Sequence, residues 1–153
     1  MPRLELKIPP LLLAVLVALL MWLLATYLPV IIVNRLLAGI AAGCLGIGGI
    51  ICIVLGVMQF RTSRTTVNPM RPEQASTLVT GGIYKRTRNP MYVGMLLLLL
   101  GWAAWLGSAY ALALPVLFVL YMNRFQIVPE ETALQARFGD AFLAYCERVR
   151  RWL

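Results

Sequence analysis

Two long stretches near the N-terminus contain no charged residue and are rich in leucine, isoleucine, valine and alanine. They cover residues 8–33 and 36–60. The hydrocarbon core of a bilayer is about 30 Å thick, and an α-helix needs about 20 residues to cross it. Each stretch is therefore long enough for one transmembrane helix, and we expect Pro29 to bend the far end of the first. Residues 8–60 are predicted to hold two N-terminal spans.

A third uncharged stretch covers residues 91–123 and is too long for a single span. One helix of this length would measure about 50 Å at about 1.5 Å per residue. Because Gly107-Ser108 lies in its middle, we interpret it as two antiparallel spans, roughly 90–106 and 109–128, joined by a very tight turn. One long tilted helix is the alternative. The region 90–128 is thus predicted to form a helical hairpin.

The remaining parts of the chain are polar. Residues 61–90 are rich in arginine, proline and glycine and form the long loop of the protein. In the tail, residues 129–153, apolar side chains recur at helical spacing, which predicts an amphipathic helix along the membrane surface. These positions are Leu134, Phe138, Ala141, Phe142, Tyr145, Val149 and Trp152. The fold class expected for residues 1–153 is all-α integral membrane, a single domain with about four transmembrane helices.

The basic residues divide unevenly between the two sides of such a four-span arrangement. Thirteen of the fourteen fall on the side of the termini and of the 61–90 loop, and only Arg35 falls on the other. Basic loops stay in the cytoplasm, so both termini and any active site near them are expected there. Anionic headgroups explain the net charge of +8, and no nucleic-acid partner is predicted.

Composition narrows the chemistry. The chain is 61% hydrophobic and 13% charged, whereas a soluble domain has about 25% charged residues, so lipid is its solvent. It has no histidine, and its three cysteines form no CxxC pair. No metal site, disulfide framework or histidine-based triad is therefore predicted. The uncharged stretches hold no ionisable acid or base, which argues against a small transporter.

The second stretch is rich in glycine. Gly39 and Gly43 have the small-xxx-small spacing that lets membrane helices approach closely. A glycine cluster can also form a nucleotide-binding loop, but such loops follow a strand, and none is predicted here. Helix packing is the favoured interpretation.

Two polar clusters flank the predicted hairpin, the first at residues 81–94 and the second at 123–131. An antiparallel hairpin returns its second end beside its first, so the clusters are expected to meet at one membrane–water boundary. A purely structural interpretation exists for each. Asn89-Pro90 is a good helix start, and the acidic pair of the second cluster suits the first turn of a tail helix.

The two clusters resemble the motifs of a known superfamily. Residues 78–84 (LVTGGIY) and 88–94 (RNPMYVG) are similar to the core of the isoprenylcysteine carboxyl methyltransferases and phospholipid methyltransferases, roughly G-x-Y followed by R-H-P-x-Y-x-G. Residues 130–139 match the family's tail block, E-E-x-x-L-x-x-x-F-G, and residues 149–153 also resemble its end. The likeness covers about residues 62–153. Asn89 replaces the family's histidine; asparagine cannot titrate, so a general base at this position is in doubt.

The resemblance implies methyl transfer from S-adenosylmethionine, leaving S-adenosylhomocysteine, to a lipophilic acceptor that enters from the surrounding membrane lipids. A catalytic role is implied for Arg88, as a clamp on a carboxylate, and for Glu131, as a base for an amine acceptor. The acceptor stays open between an isoprenylcysteine-like carboxylate, a lipid amine and a thiol. The residues implied in cofactor binding are Gly82, Tyr84, Asn89, Pro90, Tyr92, Gly94, Gln126, Glu130 and Glu131, with Glu131 favoured over its neighbour.

Two other functions remain open. A related reductase fold uses NADPH on sterols, and it would need more basic contacts for the extra phosphate. A non-catalytic helix-packing subunit would explain the glycines and the amphipathic tail, but not the paired motifs.

Overall fold

The structure is a computed structural model that describes residues 5–28, 34–63 and 76–153. These ranges contain six α-helices: Pro10–Tyr27 (α1), Arg35–Thr62 (α2), Pro90–Leu106 (α3), Ala109–Tyr121 (α4), Val128–Phe138 (α5) and Asp140–Arg148 (α6). A 3-10 turn, Gly82–Lys85, precedes α3, and a π-helical segment, Met122–Ile127, joins α4 to α5. Pro29 and much of the predicted loop, residues 64–75, lie outside the described residues.

Three helices in the described ranges are long and apolar enough to cross a bilayer. They are α1 with 18 residues, α2 with 28, and the continuous helix Ala109–Phe138 with 30. The apolar helix α3 has 17 residues, which gives a length of about 25 Å, close to the thickness of the hydrocarbon core. The prediction of an all-α membrane protein is confirmed.

Local sequence explains where these helices begin and turn. The Asn34 side chain accepts hydrogen bonds from the amides of Leu36 and Leu37, at 3.0 and 3.3 Å, and so caps the first turn of α2. Helix α3 ends at Gly107, whose φ of 63° is left-handed and favours glycine. Ser108 then leads into α4, so the chain reverses within two residues. The alternative of one long tilted helix in this stretch is wrong.

The tail differs from the prediction of one amphipathic helix that begins at Pro129. Helix α4 continues through the π-helical segment into α5, and α6 follows only after Gly139, whose φ is 53°. Proline has no N–H, so Pro129 cannot donate to the carbonyl of Phe125, four residues earlier. That carbonyl instead accepts a 3.0 Å hydrogen bond from the Leu6 amide. The N-terminal segment thus supplies the donor that proline removes.

Helix α3 lies at the centre of the bundle and packs against α1, α2 and α4. The Trp102 indole on α3 donates a 3.1 Å hydrogen bond to the carbonyl of Ala18 on α1. The buried cluster shared by α1, α3, α4 and the π-helical segment consists of Ala14, Met21, Tyr92, Leu99, Ala103, Ala111, Leu114, Phe118, Met122 and Ile127. Many large apolar side chains of α1, α2 and α4 are exposed, as expected where lipid is the solvent.

Helices α2 and α3 approach each other closely at glycine. A Cβ atom on Gly94 would lie 2.6 Å from the carbonyl oxygen of Gly49 and 2.6 Å from a side-chain carbon of Ile53. Gly39 and Gly43, which were predicted to allow close packing, have no described atom within 4 Å of a Cβ position, so that prediction is wrong within this chain. The reason is the rotation of α2 about its axis. Ala42 lies on the face of α2 that meets α3, and Gly43, the next residue, points about 100° away from it.

We expect Gly94→Ala to destabilise the protein by roughly 1–3 kcal/mol, because the added methyl group meets the backbone of α2. Gly43→Ala is the matched control: it meets open space and gains helix propensity, so it should not lower stability. Thermal unfolding in one detergent measures both. Equal melting temperatures for the two variants would contradict the close approach.

Candidate active site

The structure brings the two polar clusters together at one end of the hairpin. The Tyr92 hydroxyl, in the first turn of α3, donates a 2.6 Å hydrogen bond to Oε1 of Glu130, in the first turn of α5. The bond joins residues 38 positions apart, so it depends on closure of the hairpin. We call the group formed around this bond the carboxylate site; its members are Arg88, Tyr92, Gln126, Glu130 and Glu131.

Glu130 is held by neutral donors. Its Oε1 also accepts a 2.5 Å hydrogen bond from Nε2 of Gln126, which is 2% exposed. Both bonds end on the same oxygen, and no ion pair involves Glu130 within the described ranges. Gln126 belongs to the π-helical segment, where the widened turn leads directly into the turn that carries the carboxylate. Such segments are frequent at functional sites.

Glu131 has the opposite surroundings, although it is the next residue. Its Oε1 accepts a 3.1 Å hydrogen bond from Nε of Arg151, and its Oε2 a 2.6 Å bond from Nη2 of the same guanidinium. Nη2 of Arg88 lies 3.3 Å from Oε1. The side chains of Glu131 and Arg88 are 20% and 15% exposed. Its charge is therefore compensated by two cations, one of them in bidentate geometry.

Arg88 is engaged at several atoms. Besides its ion pair with Glu131, its Nη1 donates to Sγ of Cys146, and its backbone amide donates a 2.9 Å bond to the carbonyl of Arg150. Burial raises the pKa of the Cys146 thiol, with Arg88 opposing the shift, so the sulfur is a neutral thiol at physiological pH. Nε of Arg88 is buried and has no hydrogen-bond partner in the described part of the chain. One donor of this guanidinium is thus unused.

The helix start at Pro90 has the expected position but not the expected cap. Pro90 is the first residue of α3, and no Asn89 side-chain bond caps the helix. Nδ2 of Asn89 instead donates a 2.9 Å bond to the carbonyl of Arg151, while its backbone amide donates to Oγ1 of Thr87 at 3.1 Å. The asparagine that replaces the family's histidine therefore contacts the C-terminal segment, and the amides of the first turn of α3 lack a side-chain acceptor at the N-cap.

Tyr84 lies in the 3-10 turn before α3 and is buried. Its ring packs edge-on against Phe60 of α2, with ring centroids 5.4 Å apart, and its carbonyl accepts a 2.7 Å bond from the hydroxyl of Tyr145. Burial raises the pKa of Tyr84 and that of Tyr145 above the usual tyrosine value. Both phenols stay protonated at neutral pH, so they act as donors and not as bases.

The two predicted glycines lie elsewhere. Gly82 is exposed, and a Cβ there would meet the side chain of Gln59 at the end of α2. Gly94 faces Gly49 in the helix contact described above. Both stay predictions as cofactor-binding residues, and the contacts that the structure gives them are with α2.

Sequence reasoning missed the part played by the C-terminal residues. Arg151 contacts both Asn89 and Glu131, and the Trp152 indole donates a 2.9 Å bond to Oδ1 of Asn123 in the second cluster. Residues 149–153 resemble the family's end in sequence, but no sequence pattern indicates these partners. The described residues hold no group of three or more histidine, cysteine, aspartate or glutamate side chains placed to bind a metal ion.

Comparisons with known proteins identify related sequences. Residues 37–141, from α2 to the start of α6, match the family described as phospholipid methyltransferase. An uncharacterised protein of Haemophilus influenzae is 48% identical over 63 residues, which make up 41% of this chain and 100% of that protein. No solved structure matches the chain. The match to the family takes in more than half of the chain, which therefore belongs to the phospholipid methyltransferase family and is a membrane methyltransferase of the phospholipid or isoprenylcysteine type.

Proposed function

We propose that the protein transfers a methyl group from S-adenosylmethionine to a lipophilic acceptor held in the membrane, and that Glu130 recognises the positive charge of the donor. The observation that carries this proposal is the contrast between the two adjacent acids. Glu131 is paired with two guanidinium groups, whereas Glu130 receives only the neutral donors Tyr92 and Gln126 among the described residues.

A partly buried carboxylate without a cation is costly unless a ligand supplies the missing charge. S-adenosylmethionine carries a sulfonium and an ammonium group, and Oε2 of Glu130 is left for either one. The donor's own carboxylate suits the first-turn amides of α3, since Asn89 does not cap them. The residues present thus offer an anionic partner for a positive group of the cofactor and backbone amides for its carboxylate.

The bound donor would supply an electrophilic methyl group, which transfers by in-line displacement. The tasks left to the protein are to orient the two reactants and to exclude water. Tyr92 and Gln126 fix the orientation of the Glu130 carboxylate through their hydrogen bonds. Arg88 and Arg151 hold Glu131, so this acid serves better as their charge partner than as a free base. This assignment differs from the preference for Glu131 that the sequence suggested.

The acceptor is proposed to be lipophilic, with its reactive group at the carboxylate site. The guanidinium of Arg88, whose side chain is 15% exposed, suits an oxygen of an anionic group, which favours a carboxylate acceptor over an amine. A carboxylate also needs no base at neutral pH. The lack of an ion pair at Glu130 among the described residues also speaks against the other functions. Such an acid would repel the phosphates of NADPH, and a purely structural subunit would gain nothing from it.

We expect Glu130→Gln to weaken binding of S-adenosylmethionine by about 2–5 kcal/mol, since it removes one partner of an enclosed charge pair. Glu131→Gln should be milder, because its amide oxygen can still accept a bond from Arg151. Titration calorimetry of the purified protein checks this, with S-adenosylhomocysteine as a second ligand and NADPH as the control. A larger loss for S-adenosylmethionine than for S-adenosylhomocysteine would place the sulfonium at Glu130.

The exposed acid Glu147 offers a matched control, and Glu147→Gln should leave the affinity unchanged. Small and equal effects of all three substitutions, in protein that melts normally, would contradict the role given to Glu130.

Arg88→Lys should lower methyl transfer by at least about tenfold, because a hydrogen bond to a charged group is worth roughly 1.5–3 kcal/mol and lysine cannot copy the planar fork. Arg86→Lys, in the same turn but exposed, is the control and should behave as wild type. Incorporation of radiolabelled methyl groups into membrane lipid extracts or supplied lipophilic acids measures both. If the two variants transfer methyl groups equally, Arg88 is only a topology signal.

The orientation in the membrane is also a proposal, supported by the exposed basic residues at the end of the bundle that carries the site. They include Lys85, Arg86, Arg124, Arg148 and Arg150. Basic segments stay in the cytoplasm, so we place the site and both termini there.

A single cysteine at Ala109 and one at Thr77, both exposed, should therefore react with a membrane-impermeant maleimide from opposite sides. The measurement uses a background without the three native cysteines, in intact spheroplasts and in inverted vesicles. Labelling of Ala109→Cys and Thr77→Cys from the same side would exclude this topology.

A further inference from the structure

Residues 149–153 follow α6 without regular secondary structure and fold back over the carboxylate site. Val149 ends α6 in an extended conformation, with φ of −128° and ψ of 130°. The carbonyl of Arg150 accepts a 2.9 Å bond from the amide of Arg88. The carbonyl of Arg151 accepts bonds from Nδ2 of Asn89 at 2.9 Å and from Oγ1 of Thr87 at 3.4 Å. We call residues 149–153 the C-terminal clasp.

Side chains of the clasp reach the second cluster as well. The guanidinium of Arg151 binds both oxygens of Glu131, and the indole of Trp152 binds Asn123. Arg151 is thus bonded through its backbone to the residues before α3 and through its side chain to the start of α5. It joins the two motif blocks of the site, which flank the hairpin in the sequence and meet at one end of it in the structure.

We propose that Arg151 is a positioning residue for the carboxylate site. By binding both oxygens of Glu131 it fixes the first turn of α5 and helps to cancel the charge of that acid. The neighbouring Glu130 is thereby held in position to bind the methyl donor. Asn89 is a positioning residue in the same device, since its side-chain amide holds the backbone of Arg151. The inference rests on the proposed function for the identity of the methyl donor. The contact between Arg151 and Glu131 does not depend on that identity.

The clamp depends on the shape of the guanidinium group. The Nε and Nη2 atoms of Arg151 lie in one plane and bind the two oxygens of Glu131 separately, at 3.1 and 2.6 Å. Lysine offers a single ammonium and cannot hold a carboxylate in a fixed plane. The position held by Asn89 needs a donor that points at a carbonyl. Histidine can supply an N–H there, whereas aspartate presents an acceptor to an acceptor.

The first experiment follows the clasp without reference to catalysis. In protein prepared to end at Leu153, which is 73% exposed, a carboxypeptidase releases this residue, and the intact mass records the removal of the residues before it. We expect release of Trp152 to be about tenfold faster in Arg151→Gln and in Asn89→Asp than in wild type. Each variant loses a charge-assisted or buried hydrogen bond that holds the clasp, and a loss of this size corresponds to about a tenfold change. Asn89→His should trim at the wild-type rate. Arg148→Gln is the matched control, because the Arg148 side chain bonds only to its own helix in the described structure.

The second experiment measures how tightly the variants bind the methyl donor and its product. Arg151→Gln should raise the Kd of S-adenosylhomocysteine and the KM of S-adenosylmethionine by about tenfold, with a smaller change in kcat at saturating donor. Arg151→Lys should resemble Arg151→Gln. The double variant Arg151→Gln with Glu131→Gln should bind better than Arg151→Gln alone, because it no longer leaves beside Glu130 a carboxylate that has lost one of its two cations and its bidentate partner. Melting temperatures show whether each variant is folded.

Two results would overturn the proposal: Arg151→Gln matching Arg148→Gln in both trimming and donor affinity, or the double variant binding no better than Arg151→Gln alone. If wild-type protein binds neither donor nor product, the proposed function fails. The trimming rates of the Arg151 and Asn89 variants then still decide whether the clasp is held as described.

Discussion

The structure of this protein depends on backbone hydrogen bonding in a lipid environment. No water is present in the hydrocarbon core to satisfy the backbone, so each span must be a helix that bonds internally, and polar side chains collect where the helices end. The tight reversal at Gly107 makes two such ends coincide, the start of α3 and the start of α5. The bond between Tyr92 and Glu130 exists because the apolar lengths on either side of that turn are matched.

Within this frame, the junction between α4 and α5 gives the site its shape. Pro129 has no N–H to donate to the carbonyl of Phe125, and the Leu6 amide donates to that carbonyl instead. Just before the proline the helix widens into a π-helical segment. Gln126 and Glu130 lie on either side of the proline and bond to each other. A local irregularity that costs backbone hydrogen bonds therefore places two of the polar groups of the site.

The two adjacent glutamates have identical side chains but different partners. Neighbours on a helix point about 100° apart, so they meet different partners. Glu131 turns toward Arg88 and Arg151, and Glu130 toward Tyr92 and Gln126. One charge is cancelled inside the protein, and the other has no ion-pair partner among the described residues. The proposed recognition of a cationic methyl donor rests on this difference.

The sequence by itself determined the membrane class, the number and approximate bounds of the apolar helices and the turn at Gly107, because these follow from runs of uncharged residues and from one residue type at one position. It also located both polar clusters and named the family through them. Only the tertiary structure decided which glycines pack, since that depends on the face that α2 turns toward α3 and brings Gly49 to Gly94. It likewise decided the partners of the two glutamates and the contact between Asn89 and Arg151, whose residues are 62 positions apart. Hydrophobic pattern fixes where a helix lies in the membrane, but rotation about its axis is set by packing against its neighbours, and side-chain chemistry at the helix ends depends on that rotation.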